Sequence, residues 1–101
     1  MEKYEIIYKK RFQRKFIILI NYLSTEWSLA DTDKFIETFQ SRITILMLNP
    51  EIGKQSSVLD VRTILITKHN RLYYRVKEHT IEILNMYDTR LNPKNNPYKK
   101  G

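Results

Sequence analysis

His69, Arg71, Tyr87, Asp88, Arg90 and Tyr98 are the residues of this chain whose types suit chemistry on a phosphate ester. A guanidinium fork matches phosphate oxygens and stabilises the charge that builds on them during displacement. Displacement at a phosphodiester also needs a base for the attacking hydroxyl and an acid for the departing oxygen. Arginine holds its proton too firmly for either task. The base or acid would therefore be His69, Tyr87, Asp88 or Tyr98. His69 and His79 flank one strand of about ten residues, which sets them about 30 Å apart, so they cannot share one phosphate. His79 is read as a turn residue.

A second group is suited to binding. Arg62, Lys68, Tyr73, Arg75 and Lys77 interleave cations with an aromatic ring along two strands and their turn. Such a surface can hold a polyanion, with tyrosine offering a stacking platform. The same pattern also describes a solvated outer face with arginine stems laid across it. Lys9, Lys10, Arg11, Arg14 and Lys15 form another cationic run nearer the N-terminus.

The elements that must position these groups can be read from periodicity. Residues 3–8 alternate as a short strand, with Tyr4, Ile6 and Tyr8 on one side. Phe12, Phe16, Leu19, Ile20, Leu23 and Trp27 make the apolar stripe of a first helix, opposite Arg11, Arg14 and Lys15. A second helix is expected to start near Asp31–Asp33 and to run along Phe35, Phe39, Ile43, Leu46 and Met47 to its stop at Asn49-Pro50. Residues 49–60 read as a polar loop. Strands follow near 61–67, 71–77 and 80–87, joined by turns at Lys68-His69-Asn70 and Glu78-His79. The fold expected is α+β, in the order β-α-α-β-β-β, with a helix hairpin packed on one face of an antiparallel sheet. The last strand returns its end at Tyr87-Asp88, with Arg90, toward Lys68, His69 and Arg71.

One register stays open at this level. Ile64 and Ile66 share a face with Arg62, whereas Val61 and Leu65 share the opposite one, and a slip of one residue exchanges the two sets. Placing Arg62 on the basic face leaves Ile64 and Ile66 partly exposed or covered by a partner.

At 101 residues the chain is sized for one domain, expected over 1–91, with 92–101 a flexible basic tail. A net charge of +7 favours nucleic acid, an acidic protein or an anionic surface as partner. No apolar run approaches the roughly 18 residues of a membrane span, and the start lacks the features of a signal peptide. Zero cysteines exclude disulfides and thiol catalysis and fit the cytoplasm. Two histidines without ligand spacing and two glycines without a phosphate loop point to no metal and no cofactor.

Taken together, these residues resemble the RelE/ParE toxins of bacterial type II toxin–antitoxin systems, across residues 4–98. The likeness runs from Tyr4 through a helix hairpin ending in Leu48-Asn49-Pro50, then Gly53 and Arg62. It continues in Arg71-Leu72-Tyr73-Tyr74-Arg75-Val76 and in Ile81-Glu82-Ile83-Leu84 leading to Asp88-Thr89-Arg90. The resemblance implies a cytoplasmic toxin held by a cognate antitoxin, with no membrane partner. Its RelE branch cuts mRNA in the ribosome without a metal, and its ParE branch poisons DNA gyrase.

On the RelE pattern, Arg71 matches the arginine that holds the scissile phosphate. Arg90 falls beside the arginine of the following strand, and Tyr98 lies where a C-terminal tyrosine is carried. The branch also bears Lys-x-Lys on the preceding strand, where this chain has Arg62-Thr63-Ile64. The leading expectation is ribosome-dependent mRNA cleavage. In it Arg71 and Arg90 stabilise the phosphate, while His69, Tyr87 or Tyr98 transfers the proton. Arg62, Lys68, Tyr73, Arg75 and Lys77 would bind RNA, and the cationic run at 9–15 would meet ribosomal RNA, gyrase or the antitoxin. The alternative is a ParE-like, non-enzymatic inhibitor of gyrase, which the isoleucine at 64 favours.

Overall fold

A computed structural model describes residues 3–89 and 96–98. The chain forms β1 (Glu5–Tyr8), α1 (Lys10–Glu26), α2 (Leu29–Leu48), β2 (Lys54–Gln55), β3 (Arg62–Thr67), β4 (Asn70–Lys77) and β5 (Thr80–Asp88). This is the expected α+β order with one addition, since the polar loop after α2 contributes the two-residue strand β2. The sheet runs β1-β5-β4-β3-β2. Its β2–β3, β3–β4 and β4–β5 pairs are antiparallel, as the short turns require. β1 instead joins β5 in parallel, from Glu5 opposite Thr80 to Tyr8 opposite Ile83, so the sheet is mixed. The helix hairpin is the crossover that lets the chain enter the sheet at one edge and return at the other.

The hairpin packs along its expected stripes except at Trp27, which lies past the end of α1 as its C-cap and is 65% exposed. Phe12 of α1 and Thr32, Phe35, Phe39, Ile43 and Leu46 of α2 are buried. With the partly buried Phe16, the rings of Phe12, Phe35 and Phe39 interlock, Phe16 and Phe39 at 4.8 Å and Phe12 and Phe39 stacked at 5.6 Å. α2 begins at Leu29, earlier than expected, because Ser28 and not an aspartate is the cap. The Ser28 hydroxyl accepts the Asp31 N–H at 3.0 Å and donates to the Asp31 carboxylate at 2.8 Å. Among the described residues no helix is long and apolar enough to cross a membrane.

The sheet's helix-facing side settles the register that the sequence left open, against the choice made there. Ile64 pairs with Leu72 and Arg62 with Tyr74. Ile64 and Ile66 are 7% and 5% exposed, within one core with Leu72, Tyr74, Ile81, Ile83, Met86 and the helices. Arg62 therefore lies on the helix side and not on the basic face. The physical reason is that two isoleucines gain more from that core than one arginine loses there. Arg62 sits at the sheet's end, where its Nη1 donates to the carbonyls of Gly53 at 2.8 Å and Glu51 at 3.3 Å.

A bulge does the equivalent work on β5. The pairing shifts between Tyr73–Asn85 and Tyr74–Ile83, which leaves Leu84 as an extra residue. Without it Ile81, Ile83, Asn85 and Tyr87 would share one face. With it Ile81, Ile83 and Met86 turn to the helices, and Glu82, Asn85 and Tyr87 turn to the open side.

Candidate functional site

The open side of the sheet carries the chemistry. Arg71, Tyr73, Arg75 and Lys77 project from β4, Thr63 and Leu65 from β3, and Glu82, Asn85 and Tyr87 from β5. Register sets this grouping: Arg71 is opposite both Leu65 and Tyr87, and Tyr73 is opposite both Thr63 and Asn85.

Three tyrosines form the centre. Tyr98 stacks on Tyr73 with ring centroids 4.6 Å apart, and Tyr87 meets Tyr73 edge-on at 6.0 Å and Tyr98 at 6.1 Å. Residues 96–98 lie within the stretch read from sequence as a flexible tail, and here they are fastened to the sheet. Asn96 Nδ2 donates to the Tyr73 hydroxyl at 3.0 Å, and the Ser57 N–H and hydroxyl both donate to the Tyr98 carbonyl. Tyr73 and Asn96 are buried as a result, a second small core on the outer face.

Cations border these rings from two elements. The Lys15 ammonium of α1 sits 3.1 Å above the centre of the Tyr87 ring. Arg11, one turn earlier, lines a cleft with Tyr98 and Leu84 and lies in the same field. From β4, Arg71 lines a cavity of about 230 Å³ with Gln55, Ser56, Ser57, Thr63, Tyr73 and Tyr98. Its Nη1 donates to Thr63 Oγ1 at 3.4 Å. Lys15 and Arg11 joining the sheet's aromatic centre was not visible in the sequence. Only the packing of α1 along β5 brings residues more than fifty positions apart together.

Titration behaviour follows from this packing. Burial, and then the nearby Arg11 charge, lower Lys15 to about 8. Burial raises Tyr87, the Tyr98 and Tyr73 hydroxyls add to the rise, and Arg11 opposes it. Tyr87 thus keeps its proton at neutral pH and is a poor base. The arrangement can stack a planar group and neutralise an anion; among the groups discussed on this face, Lys15 has its pKa shifted closest to neutrality.

The remaining sequence candidates are elsewhere. His69 lines a cleft of about 640 Å³ on the helix side with Leu19, Leu23, Trp27, Phe35 and Asp88. It lies in the turn between β3 and β4, and it and Arg71 line different cavities. Lys68 is an exposed turn residue whose carbonyl accepts the Thr89 hydroxyl at 2.9 Å. Arg75 is committed to Glu82, with Nε at 2.9 Å and Nη2 at 2.6 Å from Oε1, and Lys9 approaches the other carboxylate oxygen at 3.6 Å. Lys77 is exposed beside this pair. Arg90 lies outside the described residues.

The Arg75 hydrogen bond is the largest of the effects that hold Glu82 below the usual carboxylate range, with Lys9 and Lys77 adding to it. A depressed carboxylate contributes stability at pH above its unfolded value, and the contribution fades as pH falls through the folded one. Glu82→Gln is therefore expected to destabilise the protein at pH 7 by a small margin, at most about 1 kcal/mol for a pair whose arginine reaches solvent, read as a lower melting temperature. The gap between variant and wild type should close in melts taken below pH 4. A gap that widens in acid would contradict the assignment.

The sequence profile describing the ParE toxin of type II toxin–antitoxin system, parDE, matches residues 6–90. The chain belongs to the ParE toxin family. The resemblance to the RelE/ParE toxins therefore holds, and the matching profile lies on its ParE side.

Solved structures agree on the fold. This chain is similar to one from the chromosomal ParDE system of P. aeruginosa, with TM-score 0.72 and 18% identity, over 85% of this chain and 96% of that one. It is also similar to a chain of the E. coli DinJ–YafQ toxin–antitoxin complex, with TM-score 0.59 and 11% identity, over 85% and 92%. A conserved hypothetical protein from Helicobacter pylori gives TM-score 0.55 and 20% identity, over 85% and 94%. None of the curated proteins matches the sequence.

Proposed function

We propose that this ParE-family toxin acts in the cytoplasm as a non-enzymatic inhibitor of DNA gyrase and is neutralised by a cognate antitoxin. The observation carrying this reading is the division of the nuclease candidates between the two faces of the sheet. Arg71 and the tyrosines occupy the open face, while Arg62, Ile64 and His69 belong to the helix side. Arg71 is left with an open cavity but without histidine beside it, and Tyr87 is pushed away from acting as a base. Such a face can bind, and binding is all that a protein-directed inhibitor requires. The solved relatives include a ParDE system and a DinJ–YafQ complex, which supports an antitoxin as partner here.

The second reading, mRNA cleavage in the ribosome, draws on the same face. Lys15, at about 8, would supply a proton-transfer group, and Arg11 and Arg71 would supply two anion clamps. One pair of assays separates the two. Purified protein is added to gyrase supercoiling a relaxed plasmid, and in parallel to a defined translation reaction whose mRNA 5′ ends are mapped. Inhibited supercoiling with intact mRNA is the expected result. Arg71→Ala is expected to keep that inhibition within about twofold, whereas loss of a phosphate-stabilising group would cost about 10²–10³ in cleavage rate. New ribosome-dependent mRNA ends, abolished by Arg71→Ala, would replace the gyrase reading by the nuclease one.

A further inference from the structure

The start of α1 gathers like charges where a helix least favours them. Lys9 is its N-cap, and Lys10 and Arg11 open its first turn. No side chain caps this end, and no acidic residue stands in the turn. The N-terminal end of a helix carries partial positive charge, so each of these cations is placed against the dipole. Lys15, one turn further, shows the crowding, since burial and then the Arg11 charge lower it to about 8. The fold loses stability by this arrangement, and a bound anion would restore it.

The same cations border a cleft. Lys9, Lys10 and Arg11 line a space of about 610 Å³ together with Ile7, Leu84 and Tyr98, a size usual for a ligand site. The Tyr98 ring is fixed there, stacked on Tyr73 at 4.6 Å, with its carbonyl accepting the Ser57 N–H and hydroxyl. Among the described residues no carboxylate lines the cleft. On the neighbouring strands, Glu82 is already paired with Arg75 and Lys9, and Glu5 lies opposite Thr80, at the start of β5. Arg71 belongs to a different cavity, and Arg62 shares a third with Glu51 and Asp60.

Cations at the rim and an aromatic ring with aliphatic neighbours inside fit a ligand that joins an anion to a planar body. A nucleotide unit has that form, with a phosphate for the cations and a base for the ring. A carboxylate from an acidic protein would answer the charges and leave the ring without a planar partner. A duplex keeps its base faces stacked within, so the unit is free or part of an unpaired strand.

We propose that the cleft between β1, the start of α1 and Tyr98 binds a nucleotide unit, its phosphate held by Lys10 and Arg11 and its base laid against Tyr98. This binding is separate from gyrase inhibition and from the Arg71 cavity, and its test contains neither gyrase nor ribosomes. Binding of a dye-labelled, eight-nucleotide deoxythymidine oligomer to the full chain is followed by fluorescence anisotropy, at salt from about 50 to 200 mM. Saturable binding that weakens with salt is expected. Replacing both Lys10→Ala and Arg11→Ala should weaken it about tenfold and make the slope of log K against log salt shallower by about 1.4, two contacts at about 0.7 each. Both side chains are exposed, so this variant should melt as wild type does. Tyr98→Phe should bind as wild type, and Tyr98→Ala about tenfold more weakly. Arg71→Ala should stay within about twofold of wild type. Displacement of the probe by thymidine monophosphate at equal nucleotide concentration would assign the cleft to a free nucleotide; resistance to it would assign an unpaired strand. No saturable binding at the lowest salt overturns the proposal. So does an Arg71→Ala protein as weak as the double variant, which would move the site to the Arg71 cavity. Polyglutamate that displaces the probe as well as the unlabelled oligomer also overturns it, and makes the partner an acidic protein.

Discussion

Replacing Ile64 by lysine, which restores the Lys-x-Lys spacing of the nuclease branch in charge, is expected to unfold the protein without conferring cleavage. Position 64 faces the helices, opposite Leu72 and within the main core. An ammonium there loses its hydration, at an effective cost of several kcal/mol, with no carboxylate among the core residues to compensate it. The isoleucine's own burial is lost as well, typically about 2–5 kcal/mol when such a side chain is removed. Total stability for a domain of this size is about 5–15 kcal/mol, so the variant should lie near or past the limit of folding. A drop of at least about 15 °C in melting temperature, or no cooperative transition, is the result to expect. Leu65→Lys is the matched control. It adds the same charge one residue along, on the half-exposed open face beside Arg71, and should cost less than about 1 kcal/mol. If Ile64→Lys melts like Leu65→Lys, the register is wrong and the isoleucine does face the basic surface.

That register marks the boundary of what the residues alone disclose. The helix stripes, the strand order and the turn positions follow from periodicities that local geometry enforces, and each is found where it was expected within a few residues. Which face of β3 meets the helices does not follow, because Arg62 argues for one side and Ile64 with Ile66 for the other. Only the supply of core partners decides between them. The face of Tyr87 depends in turn on one unpaired residue, Leu84, whose neighbours in sequence show neither the glycine nor the proline that often announces a bulge. The approach of Lys15 and Arg11 to the tyrosines is a tertiary effect with no local signal. Strand ends alone bring His69 toward Arg71, but they do not fix which side of the sheet each residue takes.

Gly53→Ala is the second substitution expected to act strongly, and here the cause is close approach, not backbone freedom. Gly53 has no positive φ. An added Cβ would lie 2.5 Å from the Tyr74 hydroxyl, 2.8 Å from its Cε1 and 2.9 Å from the Thr63 carbonyl oxygen. Tyr74 cannot retreat easily. It is fully buried, and its hydroxyl accepts the Gly53 N–H at 2.9 Å while donating to the Pro50 carbonyl at 2.8 Å. Overpacking of this kind costs about 1–3 kcal/mol. Moving the hydroxyl would in addition weaken two buried hydrogen bonds, each worth about 0.5–1.5 kcal/mol. A loss near 3 kcal/mol, read as a shift in urea midpoint, is expected. Tyr74→Phe alone should cost about 1–3 kcal/mol, since the Gly53 N–H and the Pro50 carbonyl lose their partner. In the double variant the nearest clash has gone with the hydroxyl, so the combined loss should fall short of the sum by about 1 kcal/mol. Additivity within about 0.5 kcal/mol would mean that the two residues do not press on one another.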